Sequence, residues 1–132
     1  MYHRKILVPL RSSGKDLKSV HYALSLAERI EAHVHILQQD NELGYENSTA
    51  SYMSEALSDL INSARQAGLN VSHHIAHKEL KDEIVDLVKM EDIDLLVFGA
   101  EEGVDKHLLS QVKPLVSSQI IQVKGKDHIS YI

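Results

Sequence analysis

The chain contains no cysteine and no tryptophan, and only one phenylalanine, two prolines and six glycines among its 132 residues. Without cysteine there is no disulfide, no thiolate nucleophile and no zinc site built on sulfur. That fits a reducing compartment, and a cytoplasmic location is the expectation. Positive charge is also scarce. Fourteen Lys and Arg face nineteen Asp and Glu, a formal charge of −5. The basic surface on which phosphate-backbone contacts depend is missing, so no nucleic-acid partner is expected. No apolar run approaches the ~20 residues of a membrane span. The opening Met-Tyr-His-Arg-Lys leads straight into a short strand-like run, with no signal-type apolar segment, so no membrane partner is expected. What is present, 43% hydrophobic and 25% charged residues, is the composition of a soluble globular domain. The length suits one core rather than two.

The order of patterns along the chain defines the fold class. Ile6-Leu7-Val8-Pro9-Leu10 reads as a buried strand closed by the turn residues Ser12, Ser13 and Gly14. Leu17, Val20, Leu24, Ala27 and Ile30 recur at helical spacing. His33 to Leu37 alternates as a strand, and 38–47 is a polar loop. Ser48 is placed as an N-cap before a helix carrying Met53, Leu57, Leu60, Ile61 and Ala64 and ending at Gly68. A weaker strand over 69–76 precedes a helix with Leu80, Ile84, Leu87 and Val88. Leu95-Leu96-Val97-Phe98 is the most continuous apolar run, as expected of a central strand covered on both faces. Leu108, Leu109 and Val112 begin a fourth helix, which Pro114 should break or kink. Ile120 to Val123 is the last strand. Strands alternating with helices predict right-handed crossovers and a doubly wound, flavodoxin-sized parallel sheet with helices on both faces. One domain is expected over 1–124, with 125–132 a C-terminal tail that leans towards a dimer-covering arm.

Ligands of such sheets bind beyond the carboxyl ends of the strands, where 11–15, 38–48, 76–79 and 99–107 should meet. Ser12-Ser13-Gly14-Lys15-Asp16 lacks the upstream glycine and the following Ser or Thr of a phosphate-binding P-loop. It reads as a polar turn, although Arg11 and Lys15 beside a helix start would suit an anion. Gly99 and Gly103 would let backbone approach a phosphate, but Glu101 and Glu102 between them favour a plain turn. Nine histidines raise a metal site, since His33 and His35 share a strand face and His73, His74 and His77 cluster on a neighbouring strand. The simpler expectation is that His33 and His73 are partly buried, hydrogen-bonded strand residues and the others solvated. Ser110 and His107 lie three apart on one helix, but no GxSxG elbow surrounds any serine near the cleft. No enzyme is expected, at most weak nucleotide hydrolysis.

Three blocks, Lys5-Ile6-Leu7-Val8-Pro9-Leu10, Asp94 to Ala100, and Leu108-Leu109-Ser110-Gln111-Val112 before the last strand, resemble in order and spacing the signature regions of the universal stress protein family. The resemblance runs from about residue 4 to 124. It implies an adenine nucleotide alpha hydrolase-like sheet of five strands ordered 3-2-1-4-5. It also implies a homodimer pairing final strands, with Ile120, Ile121 and Val123 at the interface. Members that bind ATP carry Gly-x2-Gly-x9-Gly-(Ser/Thr) after the fourth strand and an Asp ending the first. Here the Asp position is Arg11 and the next is Ser12. Three residues separate Gly99 from Gly103, and six separate Gly103 from Ser110-Gln111, which stand where Gly-Ser would be. The equivalents of the nucleotide site are therefore Pro9, Leu10, Arg11, Ser12, Phe98, Gly99, Gly103, Ser110 and Gln111. The expectation is a non-catalytic homodimer in stress response or regulation, without the standard ATP site, without a cofactor, and with an unknown protein partner. The alternatives are a nucleotide-binding regulator with an altered phosphate loop, in which Arg11 contacts the ligand, and a His-based metal protein.

Overall fold

β1 (Lys5–Leu10) is apolar on both faces, with Ile6 1% exposed and Leu7 and Val8 fully buried. Such a strand is stable only between two helical layers. The computed structural model describes residues 4–10, 17–39, 48–99, 104–125 and 128–132. Over these, β1 is followed by α1 (Lys18–Ile30), β2 (His33–Gln39), α2 (Ser48–Gln66), β3 (Val71–Ala76), α3 (Leu80–Glu91) and β4 (Leu95–Gly99). Then come α4 (Val104–Val112), a 3-10 turn over Lys113–Leu115, β5 (Gln119–Gly125) and β6 (His128–Tyr131). The strands form one sheet in the order β3-β2-β1-β4-β5-β6. It is parallel from β3 to β5 and antiparallel only at β5–β6.

The expected α/β class, helices on both faces and the order 3-2-1-4-5 are all present. α1 and α2 close one face, where Val20, Ala23, Leu57 and Ile61 pack on Ile6, Val8, Val34 and Ile36. α3 and α4 close the other, where Ile84, Leu87, Leu108 and Val112 pack on Leu7, Leu37, Leu96 and Phe98. Side chains alternate across a strand, so each helix pair reads one parity of the same strands. α1 and α3 end alike. Glu31 and Asp92 adopt the left-handed conformation at φ 55° and 52°, and their N–H groups bond Ala27 O and Val88 O. α2 stops two residues before Gly68, whose φ of 94° turns the chain towards β3. Pro114 acts as expected, since α4 ends at Val112 and Pro114 sits in the 3-10 turn.

Asp94 shows why its block has the form it has. Its carboxylate Oδ2 accepts the Lys5 N–H at 2.8 Å. Its own N–H donates to Lys5 O at 2.9 Å, and its carbonyl accepts from Gln119 N at 3.0 Å. One residue thus aligns the amino ends of β1, β4 and β5.

The C-terminal segment, expected as a tail leaning towards a dimer-covering arm, pairs with its own chain. Residues 128–131 form β6, with Ile121 opposite Tyr131 and Val123 opposite Ile129, and an irregularity between Val123 and Gly125. Ile129 packs against the first core, and Ile132 N donates to Ile120 O at 3.0 Å. Ile120, Ile121 and Val123 are therefore not on an open edge. They are 2%, 4% and 3% exposed, and the outer edge of the sheet is β6. An alternation as short as Ile129-Ser130-Tyr131 is satisfied by an antiparallel return, which removes the edge of β5 from water.

Candidate functional site

The chain winds away from β1 in one direction through β2 and β3, then crosses back to β4 on its other side. β1 and β4 therefore flank the switch point, and ligands of such sheets bind beyond the carboxyl ends of the strands there. β1 stays paired with β2 as far as Leu10↔Gln38. Its described pairs with β4 are Ile6↔Leu95 and Leu7↔Leu96, at the amino end only. Pro9, without an N–H, stands where the two strands leave each other.

Of the nine positions equated with a nucleotide site, Pro9, Leu10, Phe98 and Gly99 lie at the carboxyl ends of β1 and β4. Pro9 and Leu10 are buried and Phe98 is 1% exposed. Gly99 O accepts a long bond from Gln122 Nε2 of β5 at 3.4 Å. Arg11, Ser12 and Gly103 lie outside the described residues. Ser110 and Gln111 are placed differently from a phosphate-binding pair. They are the seventh and eighth residues of α4, which runs from Val104 to Val112. At such a position the N–H belongs to the helix ladder, and the free donors are in the first turn. Ser110 is exposed, and its hydroxyl donates to His107 O at 2.8 Å. It is not bonded to the His107 ring, so the Ser-His pairing weighed from the spacing does not form.

The histidines are the less expected feature. His33 and His35 share a face of β2, as expected, and alternation sends His73 and His74 of β3 to opposite faces. His74 joins His35 under α3. His73 faces the other way, bonded through Nε2 to Gln38 Oε1 at 3.0 Å. His33 is partly buried and hydrogen-bonded as expected, but the expectation of a partly buried His73 and a solvated His35 is corrected. His73 is exposed, whereas His35 is 2% exposed. The His35 ring stacks on His33 with centroids 4.2 Å apart and on His74 at 5.2 Å. His35 Nδ1 lies 3.0 Å from His74 Nε2, and His33 Nε2 lies 2.8 Å from Ser72 Oγ. His35 Nε2 is buried without a hydrogen-bond partner. Burial, then the neighbouring His33 and His74, pushes the His35 imidazole down to about 4. Burial likewise lowers His33 and His73. Among the described residues no three His, Asp or Glu side chains converge as metal ligands.

A hollow of about 510 Å³ lies at the amino ends of the strands. Its walls include Tyr22, Leu26 and Ile30 of α1, Ile121 of β5 and Tyr131 of β6, with Arg4 at hand.

With this geometry in view, the comparisons are direct. The sequence profile of the Universal stress protein family matches residues 2–119, and the chain belongs to that family. β6 lies beyond the matched segment. A universal stress protein from Archaeoglobus fulgidus, solved in complex with dAMP, is 20% identical with a TM-score of 0.67, over 94% of this chain and 100% of that one. A universal stress protein from Lactobacillus plantarum is 23% identical with a TM-score of 0.63, over 94% and 99%. A family protein from Arabidopsis thaliana with AMP bound is 19% identical with a TM-score of 0.60, over 92% and 91%. No curated protein matches the sequence. Among the described residues, no helix is long and apolar enough to cross a membrane.

Proposed function

We propose that this is a non-catalytic, homodimeric stress-response regulator that lacks the standard ATP site of its family and works through protein contacts. The observation that carries the reading is the place of Ser110 and Gln111. They sit deep in α4, with the Ser110 hydroxyl committed to His107 O, where no free backbone N–H is left to meet a phosphate. Dimerisation by strand pairing would use the edge of β6, beside Tyr131 at 68% and Ile132 at 39% exposure. An apolar edge strand of this kind is a standing invitation to a second copy. Sedimentation of the full chain at micromolar concentration tests this part, with a monomer overturning it.

The second reading is a nucleotide-linked regulator with an altered phosphate loop. It is favoured by family structures solved with dAMP and AMP, and by the switch point between β1 and β4. A thermal melt with about 1 mM ATP–magnesium, AMP or cyclic dinucleotides separates the two. A ligand at about a hundred times its dissociation constant adds roughly 2.7 kcal/mol, several degrees for a domain of this size. The first reading expects no shift. A shift of that size with one nucleotide replaces it with the second.

A further inference from the structure

We propose that the His33–His35–His74 stack is a proton-operated latch on the β3 edge of the sheet: uncharged, it lets α3 close over β2 and β3, and charged, it opens that edge. His35 Nδ1 and His74 Nε2 are 3.0 Å apart, so in the neutral pair one donates and the other accepts. Whichever tautomer is present, His35 Nε2 is left buried and without a partner. A proton added to His35 puts N–H on both of its ring nitrogens. Nε2–H then has no acceptor, and the charge lies on a residue only 2% exposed. A charge so placed must reach water or be expelled.

The charged groups facing the ring do not offset this. From α3 comes Glu91, which favours the charged form, and from β1 comes Lys5, which opposes it. These two lie 3.8 Å from each other, so they largely spend their fields on one another. From β2 and β3 come His33 and His74, and both oppose a charge on His35. Ser72, also from β3, is already engaged with His33.

The easiest route to water is across β3. Among the described residues it is the terminal strand, paired with β2 alone, and on its far side Ile75 is 41% exposed. α3 holds this region through Leu80, Ile84, Leu87 and Val88 against Leu37 and Ala76. Letting that contact go hydrates His74 first and His35 next. α3 also packs against α4 and on Leu7 and Leu96 of β1 and β4, so the opening starts at its Leu37 and Ala76 contacts and is resisted at its contacts with β1 and α4.

Hydrogen exchange of the full-length protein at pH 7 and pH 5, corrected for the intrinsic pH dependence, tests the latch. Between an ordinary imidazole at 6.5 and His35 at about 4, linkage predicts that amides of β3 and α3 lose protection roughly twentyfold on acidification. β4 should remain the more protected at both pH values. The variant His35→Leu should remove most of the acid response, leaving only the smaller part due to the likewise lowered His33 and His73, while the edge stays closed. A change under threefold, or the same change in His35→Leu, overturns the proposal. So does equal protection of β3, α3 and β4, which would mean that the edge opens only with the whole domain. The imidazole carbon–proton signals of the unaltered protein give an answer that needs no variant. His35 should stay uncharged down to about pH 5, and titration near 6.5 overturns the latch.

Discussion

On the side covered by α1 and α2, β2 buries Val34 and Ile36 completely. On the side covered by α3 it buries His35, at 2% exposure, and Leu37, at 1%. Both faces are equally shut to water and belong to one strand of seven residues, yet they respond to different conditions. The first is held by dispersion and the hydrophobic effect, neither of which knows the pH. The second depends on a group that must stay neutral. Burial alone therefore says little about how firmly a region is held, since what matters is the charge state in which it stays buried. Each face can be broken separately.

The largest effect belongs to the apolar face. Ile36→Ala removes a completely buried side chain from the packing between β2, α1 and α2. It should cost about 4 kcal/mol, a fall in Tm of more than ten degrees for a domain of this size. Denaturant unfolding at pH 7 and pH 5 should give nearly the same loss at both. A loss that grows at the lower pH would show that the two faces are coupled.

Acid acts on the other face. The His35 proton affinity is depressed from 6.5 to about 4, so the unfolded chain binds more protons between those values. Stability is fully present above 6.5 and falls as the pH drops towards 4. The loss approaches roughly 3 kcal/mol, at about 1.4 kcal/mol per unit. Urea titrations at half-unit intervals from pH 7.5 to 4.5 should trace it. A flat profile would mean that His35 is hydrated or finds a partner.

Much of this contrast could be read before any coordinates, and the rest had specific reasons to escape. The apolar runs Ile6–Leu10 and Leu95–Phe98 announced central strands, and the stripes Val20-Leu24-Ala27 and Ile84-Leu87-Val88 announced helices, because period alone decides those. β6 was hidden because Ile129-Ser130-Tyr131 is too short an alternation to separate from a tail. Its partner strand, β5, supplies the missing information. That His33 and His35 share a face follows from alternation. That His35 rather than His33 is buried follows from the register His35↔Ser72 and Leu7↔His35, and from where α3 lies, neither of which is local. The place of Phe98 and Gly99 at the carboxyl end of β4 follows from order along the chain. The depth of Ser110 in α4 depends on where that helix starts, and a Gly-rich turn of unfamiliar length does not fix that point.

A smaller effect should come from repairing the polar face. His35→Leu removes the unpartnered Nε2 and supplies an apolar side chain beside Leu7 on β1. A buried unsatisfied polar atom costs about 1–3 kcal/mol. Against this stands the lost bond to His74, so the net gain at pH 7 should be about 1 kcal/mol. At pH 5 the variant should exceed the parent by clearly more, because the His35 share of the acid loss is confined to the parent while His33 and His73 act in both. If both proteins lose the same stability on acidification, the acid response comes from another group.

The smallest effect belongs to a change that touches neither face. Glu31 ends α1 and delivers the chain into β2 with φ 55°, a conformation that costs a residue with a Cβ about 1–2 kcal/mol and costs glycine almost nothing. Part of that gain is returned by the greater freedom of glycine in the unfolded chain. Glu31→Gly should therefore add only about 0.5 kcal/mol, and the same amount at pH 7 and pH 5. The value of so small a gain is as a control on the contrast between the faces. It stabilises the strand that carries both without altering the surroundings of Ile36 or His35. If Glu31→Gly changes the steepness of the pH profile, the acid response reflects the stability of β2 as a whole. If the profile shifts upward without changing shape, the response belongs to the histidine face alone.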